Sequence, residues 1–369
     1  MTSGDRTPST RFRVLPFLSH LTKGGICCRV ASSFPQKYDY FPWMGFRPSQ
    51  MLKRVVRHGH LAWSRVRPVD VVFIERELFD NDSWDMEDRF RRSAARVVLD
   101  LDDAVFLRYP EKMDRLARQA DVVIAGNPWI ARWAHERTDR CVVIPTGVEL
   151  ARFPVRPLFV THREPVIGWI GTTGNLAYLE AVAPALRALA RRHAYELRIV
   201  APEWKLPPAV DLTGVRVRYI PWHPDREVQE LHQFDIGIMP LFRDREWDRY
   251  KCPTKLIQYM SIGIPAVATP TGFTGEVLTH GSDGFYAADA KQWEDHLANL
   301  LVDESLRRRV GLIARRTVAE KYCVETNWPL LAAALRGEPH EPWNSFSLSD
   351  LGVMSHPEPL HVAAASLHI

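Results

Sequence analysis

Residues 251–269, KCPTKLIQYMSIGIPAVAT, hold a loop, a helix and a buried strand in nineteen residues. Thr254 is placed to cap the helix, whose apolar side carries Leu256, Ile257, Met260 and Ile262. Gly263 stops it, because the residue just past a helix C-terminus often takes positive φ. Pro265 then leads into Ala266, Val267 and Ala268, a short apolar run of the kind buried in a parallel sheet. A helix start aims free amides outward, and Lys251 and Lys255 beside them complete an anion site. The same pattern also serves as an ordinary helix-and-strand unit with no ligand.

Outward from this stretch the chain alternates strand and helix. Upstream lie a strand over 165–170, the loop Gly171, Thr172, Thr173, Gly174, Asn175, a helix over 176–192, and strands over 196–201 and 215–220. A rigid turn with Trp222, a helix over 227–232, the strand DIGIMPL (235–241) and a charged loop over 243–250 follow. Downstream come a glycine loop over 271–276, a late strand near 284–286, helices over 293–301 and 305–322, and a last helical run over 327–335.

The first half repeats the scheme. RFRVLPFLSHL (11–21) reads as a strand-like run, Gly24 and Gly25 as a loop where backbone approaches a ligand or simply turns, and ICCRVAS (26–32) as a helix. Strands are expected over 70–75, 96–101, 121–126 and 141–144, with helices between them. Alternation in this order predicts an α/β protein with parallel sheets and helices on both faces. The expected division is a first domain over 10–150, a proline-bearing linker over 151–165, a second domain over 166–320, a closing helix over 321–337 and a loosely ordered tail over 338–369.

At 369 residues the chain is long enough for two domains, and 46% hydrophobic with 25% charged residues is a globular composition. No apolar run reaches the roughly 18 residues of a membrane span, and no secretory apolar core follows the polar start, so a cytoplasmic location is expected. The five cysteines form no CxxC pair and no zinc-like set, which argues against a disulfide framework or a structural metal. A net charge of +4 suits phosphate-bearing ligands or contact with the inner membrane face.

DIGIMPL, the 251–269 stretch, TGFTGEV (271–277) and DGFYA (283–287) together resemble the carboxyl-terminal half of a family 4 glycosyltransferase of the bacterial group 1 type. TKGGI (22–26), DVVFIERELF (70–79), DLDDAVF (100–106), DVVIAGNPWIARWA (121–134), VIPTGVEL (143–150) and GWIGTTGNLAYL (168–179) extend the likeness over most of the chain. The resemblance implies the GT-B fold, two Rossmann-like domains with parallel sheets facing across a cleft. It implies a retaining, metal-independent transfer from a nucleoside-diphosphate sugar, with no cofactor. The acceptor, a glycan, a lipid-linked or a small molecule, would sit on the first domain, and nucleic acid is not an expected partner.

Residue by residue, Gln258 stands where the family's second paired Glu contacts the ribose, and Tyr250 where the first contacts the donor sugar. Lys255, with Lys251 as second choice, is assigned to the diphosphate or to loop stabilisation. Thr172, Thr173 and Asn175 replace the usual Arg and Lys pair after Gly171, Trp222 takes the nucleobase position, and Gly24 with Gly25 match the loop that approaches the diphosphate. Glu276 matches a Glu close to the donor. Asp102 and Asp103 are acceptor-side candidates, as base, hydrogen-bond acceptor or contact for a cationic substrate, or they cap the following helix. The competing reading is a non-catalytic GT-B protein that binds a nucleotide-sugar or a partner.

Overall fold

The structure, a computed structural model, describes residues 1–157 and 164–339. The middle of the expected linker and nearly all of the expected tail lie outside the described residues. Two parallel sheets make the frame. The first has β1 (Val69–Glu75), β2 (Ala94–Leu101), β3 (Val122–Ala125) and β4 (Cys141–Val143), side by side in chain order. The second has β5 (Val166–Ile170), β6 (Glu196–Ala201), β7 (Val217–Pro221), β8 (Ile236–Met239), β9 (Ala266–Ala268) and β10 (Phe285–Tyr286).

Strand order in the second sheet is β10-β9-β8-β5-β6-β7, so the chain leaves β5 in one direction and returns to its other side with β8. That reversal opens a crevice between the carboxyl ends of β5 and β8, where open parallel sheets bind ligands. β5, β6, β8 and β9 are buried along their whole length, which explains why they read as apolar runs without alternation.

Each sheet is covered on both faces. Phe90, Met113 and Ile130 lie in the cluster on one face of the first sheet, and Phe17 and Leu21 lie in the cluster on the other. The helix Val324–Arg336 crosses back to join that second cluster, with Val324, Leu331 and Ala334 against Val98 and Ile124. In the second domain, one core holds Trp169, Leu186, Leu197 and Trp293, and the other Phe234, Tyr259, Met260 and Val318.

Three local expectations are corrected. Residues 11–21 are not a strand: Pro8–Arg13 is a helix, followed by a 3-10 turn at Leu15–Phe17 and the helix Leu18–Lys23. Pro8 sits in the first turn, where its missing N–H costs nothing. The apparent alternation of arginine and apolar residues misleads because Arg11 and Arg13 are buried in ion pairs rather than facing water. ICCRVAS is irregular rather than helical, joined to Thr2 by a single bridge at Ser32, its Ala31 carbonyl accepting from Thr2 N at 3.1 Å and from Arg57 Nη1 at 2.8 Å. Of the expected helix over 176–192, the first part is the 3-10 segment Thr173–Ala181, and the α-helix starts only at Ala183–Ala190 with Pro184 in its first turn. A long helix, Phe46–Val66, had no counterpart among the sequence expectations.

Candidate active site

The helix Pro8–Arg13 is fastened over the carboxyl end of the first sheet. Ser9 Oγ and Thr10 Oγ1 each donate to the Glu75 carboxylate at 2.5 Å. Arg13 forks onto Asp100, the neighbour of Glu75 in register, and Nη1 donates to Ile144 O at 2.5 Å. Burial pushes Asp100 up to about 6, against the opposing pull of the Arg13 guanidinium. The helix thus becomes one wall of a cleft between the domains, with a volume of about 670 Å³.

On the second-domain side the 251–269 stretch supplies Lys251, Cys252, Thr254, Lys255 and Gln258 to the cleft. Thr254 does not cap the helix Thr254–Ser261; Pro253 holds that position, and the Thr254 hydroxyl donates to Cys252 O at 3.5 Å. Gly263 has φ of 75°, as a helix stop of this kind requires. Tyr259 pins the helix from below: its hydroxyl accepts from Ile170 N at 3.1 Å and donates to Ile238 O at 3.3 Å, joining β5 to β8 at the crevice.

Lys255 is the centre of the site. Lys255 is half-buried at the cleft, and its Nζ lies 5.5 Å from the centroid of the Trp169 ring. Among the described residues no carboxylate pairs with it. Burial lowers its pKa to about 7, Lys251 pushes in the same direction, and Asp103 and Asp248 pull back only in part. Gly171 is needed for this placement, because a Cβ there meets Lys255 Cε at 2.7 Å and the Trp169 ring at 2.7 Å. Gly171→Ala is therefore expected to displace the ammonium. Nucleoside-diphosphate affinity measured by calorimetry should fall about tenfold, and an unchanged affinity would show that the side chain accommodates the methyl.

Gln258 is 3% exposed, and its Nε2 has no hydrogen-bond partner. A buried amide donor left unmet is costly, and a ligand hydroxyl in the cleft would meet it. Lys251 stands 4.0 Å from Asp248, whose carboxylate accepts from Tyr178 Oη and from Phe242 N. Thr172, Gly171 and Asn175 line the cleft, although Gly171 N is taken by Val200 O at 3.0 Å. Trp222 also lines it and is covered by Arg11, whose guanidinium lies 4.9 Å from the ring centroid and pairs with Glu227.

The first-domain side carries Asp102 and Asp103 after β2, with Arg76 after β1 reaching to both. Arg76 has φ of 58°, a left-handed conformation held by its amide, which donates to Asp100 O at 2.8 Å, and by its ion pair with Asp102. Burial alone raises the Asp102 carboxyl, but Arg76 outweighs it and leaves Asp102 below the usual carboxylate range. Asp102 is thus a fixed anion that orients Arg76. Asp103 keeps access to the cleft with 19% of its side chain exposed, and its Oδ1 accepts from Ala104 N at 3.1 Å. Neither caps the helix Val105–Arg108, whose N-cap is Ala104.

Five of the expected site residues lie elsewhere. Gly24 packs under Trp328 and its carbonyl accepts from Arg336, so it lies against the closing helix, while Gly25 is exposed with φ of 81°, and neither lines the cleft. Thr173 begins the 3-10 segment and its hydroxyl accepts from Glu203 N. Tyr250 turns its ring into the first domain, edge-on to Phe106 at 4.9 Å, and its carbonyl accepts from Asn127 Nδ2 at 2.8 Å. Glu276 accepts from Trp129 Nε1 at 2.7 Å across the domain boundary. Tyr250 and Glu276 therefore act here as interdomain contacts. Sequence reasoning missed Arg11, Glu227 and Arg76, whose partners are far away in the chain and leave no local spacing signal.

Residues 164–303 match the family model described as Glycosyl transferases group 1. A 69-residue segment is 35% identical to N-acetyl-alpha-D-glucosaminyl L-malate synthase of Bacillus anthracis, covering 18% of this chain and 18% of that protein. Among solved structures, HepE of Anabaena with UDP-glucose matches with a TM-score of 0.65 at 13% identity, over 91% of this chain and 98% of that one. Sucrose-phosphate synthase of Thermosynechococcus elongatus matches with a TM-score of 0.62 at 13% identity, over 81% and 82%. The fold is GT-B: two α/β domains with parallel sheets and a cleft between them. The family match lies in the second domain, the half that brings Lys251, Lys255 and Gln258 to the cleft.

Proposed function

We propose that this chain is a glycosyltransferase that moves a sugar from a nucleoside-diphosphate sugar to an acceptor held on the first domain. The observation that carries the reading is Lys255, an ammonium without a carboxylate partner among the described residues, placed in the interdomain cleft beside the unmet amide of Gln258. Lys255 and Lys251 receive the diphosphate as it leaves, supplying the positive charge that the departing anion needs. Gln258 donates to a ribose hydroxyl, and Trp222 stacks the base once Arg11 shifts or sandwiches it from the other side. Asp103 faces the acceptor and accepts a hydrogen bond from its hydroxyl.

The family match in the second domain and the UDP-bound state of the HepE structures make UDP-sugars the first donors to test. Incubation with a panel of nucleotide-sugars should release nucleoside diphosphate with at least one donor, and release should persist in a chelator because the two lysines meet the diphosphate. Binding without release from any donor, in the presence of varied acceptors, would favour a nucleotide-sugar-binding protein without catalysis. Retention of configuration is proposed on the resemblance of the donor-side stretch to family 4 enzymes, and an inverted product by NMR would overturn it.

A further inference from the structure

The helix Phe46–Val66 is inside out for a surface helix of a water-soluble domain. Its inward positions are Ser49, Lys53, Arg57, Leu61 and Ser64, four of five polar. The inward cations are fastened to backbone: Lys53 Nζ donates to Lys37 O at 2.7 Å, and Arg57 Nη2 to Thr2 O at 2.6 Å. Apolar side chains point outward instead, with Phe46 62%, Met51 69% and Val55 58% exposed. Trp43, in the turn before the helix, is 79% exposed. Two ring pairs bring the preceding turn to the start of the helix: Phe41 stacks on Trp43 at 5.7 Å, and Tyr40 meets Phe46 edge-on at 6.1 Å.

Exposed charge here is mainly positive, with Arg47, Arg54, Arg65 and Arg67 exposed, Lys53 and Arg57 turned inward, and the exposed carboxylate of Asp39 just before Tyr40. Residues 40–67 contain six Lys or Arg, two His and no Asp or Glu. Arg47 and Arg54 are exposed between the outward apolar residues. Apolar side chains interleaved with cations fit an interface that is apolar below and anionic at the level of the charged heads. Aromatic rings such as Trp43 and Tyr40 favour that boundary, and arginine reaches from it to phosphate. A symmetric contact between two copies fits worse, since it brings the same arginines against each other.

We propose that Trp43, Phe46, Met51 and Val55, with Arg47 and Arg54, form a docking surface for an anionic phospholipid leaflet. Tyr38, a few residues before this surface in the chain, lines the interdomain cleft, so the docking surface belongs to the acceptor-side domain. Under the glycosyltransferase reading this is the domain that meets an acceptor presented from the lipid. The docking itself does not depend on that reading.

Flotation with phosphatidylcholine vesicles, with and without phosphatidylglycerol, tests it. The wild-type chain should partition at least about tenfold more strongly onto the anionic vesicles and less so in high salt. Arg47→Glu with Arg54→Glu should lose about tenfold or more of that binding, and the triple change Trp43→Ser, Phe46→Ser, Met51→Ser should abolish it. Circular-dichroism melting and UDP affinity, both expected to be unchanged, check that the variants are folded. Failure of the wild type to float with anionic vesicles, or equal flotation of the variants, overturns the proposal. So does a wild-type dimer that the triple change converts to monomer without any vesicle binding, which identifies the surface as a contact between copies. Flotation is read without nucleotide, so it stands or falls separately from the sugar-transfer reading.

Discussion

Replacing Lys255 by methionine is expected to make the unliganded protein more stable and the liganded one weaker. The ammonium is largely withdrawn from water and has no carboxylate partner among the described residues, so holding it charged costs free energy in the folded state. An unfolded lysine binds its proton up to 10.5, whereas burial lowers Lys255 to about 7. Between these values the unfolded chain binds more protons, so this lysine's contribution to stability is least favourable at and below about 7 and improves as pH rises. Methionine keeps the stem and removes the charge. A gain of about 1–2 kcal/mol at neutral pH is expected after allowance for the part of the side chain that water reaches, seen as a higher melting temperature. The rise of wild-type stability with pH should flatten in the variant.

Nucleoside-diphosphate affinity should move the other way, falling by roughly 1.5–3 kcal/mol with the loss of a charge-assisted contact. Gain of stability with loss of binding is the signature of a residue kept for a ligand. A variant that loses both stability and binding would make Lys255 a structural lysine. Gln258, with its own unmet buried Nε2, sits one helical turn away, so a substitution there is expected to couple with Lys255→Met rather than add to it.

The second large effect concerns the wall of the cleft. Arg13→Met leaves Asp100 buried among Glu75 and Asp102 without its guanidinium, and breaking one side of a buried pair typically costs about 3–5 kcal/mol. With Arg13 present, burial already holds Asp100 near about 6, above its ordinary value. Without Arg13 the carboxyl must take a proton to stay buried, so the folded state holds a proton that the unfolded state releases. Stability of the variant should therefore fall as pH rises through neutrality, more steeply than that of the wild type. Adding Asp100→Asn should recover much of the loss, since the amide carries no charge to desolvate. Chemical denaturation across pH measures both, and a deficit independent of pH would place the damage in packing instead.

The second domain was legible because its strands are buried on both faces and its helices are punctuated by Gly263 and proline, so periodicity and breakers agree. Lys251 and Lys255 were legible as cations beside the start of one short helix, and Gln258 only through the resemblance of that helix to the family's paired-Glu motif. The amino-terminal segment was not. Arg11 and Arg13 look like the polar half of an alternating strand, and only their partners, Glu227 and Asp100, reveal them as buried helix residues. Phe46–Val66 escaped notice because its apolar residues do not lie on the buried face, which is the face that pattern reading looks for. Tyr250 was assigned to the cleft by its place in the motif, but the first domain's aromatic rings Phe106 and Trp129 draw it across the boundary. Contacts between domains leave no spacing in sequence.

In the proposed function Lys255 holds the diphosphate of a nucleotide-sugar, and its proton count must then change on binding. Titration of UDP into the protein by calorimetry, at pH of about 8 in two buffers of different ionisation enthalpy, tests it most directly. A bound diphosphate raises the ammonium from about 7, so binding should draw about one proton from the buffer. That uptake should vanish in Lys255→Met while weaker binding persists. UDP binding with no buffer dependence in the wild type, and equal affinity in the variant, would contradict the assignment of Lys255 and the site built around it.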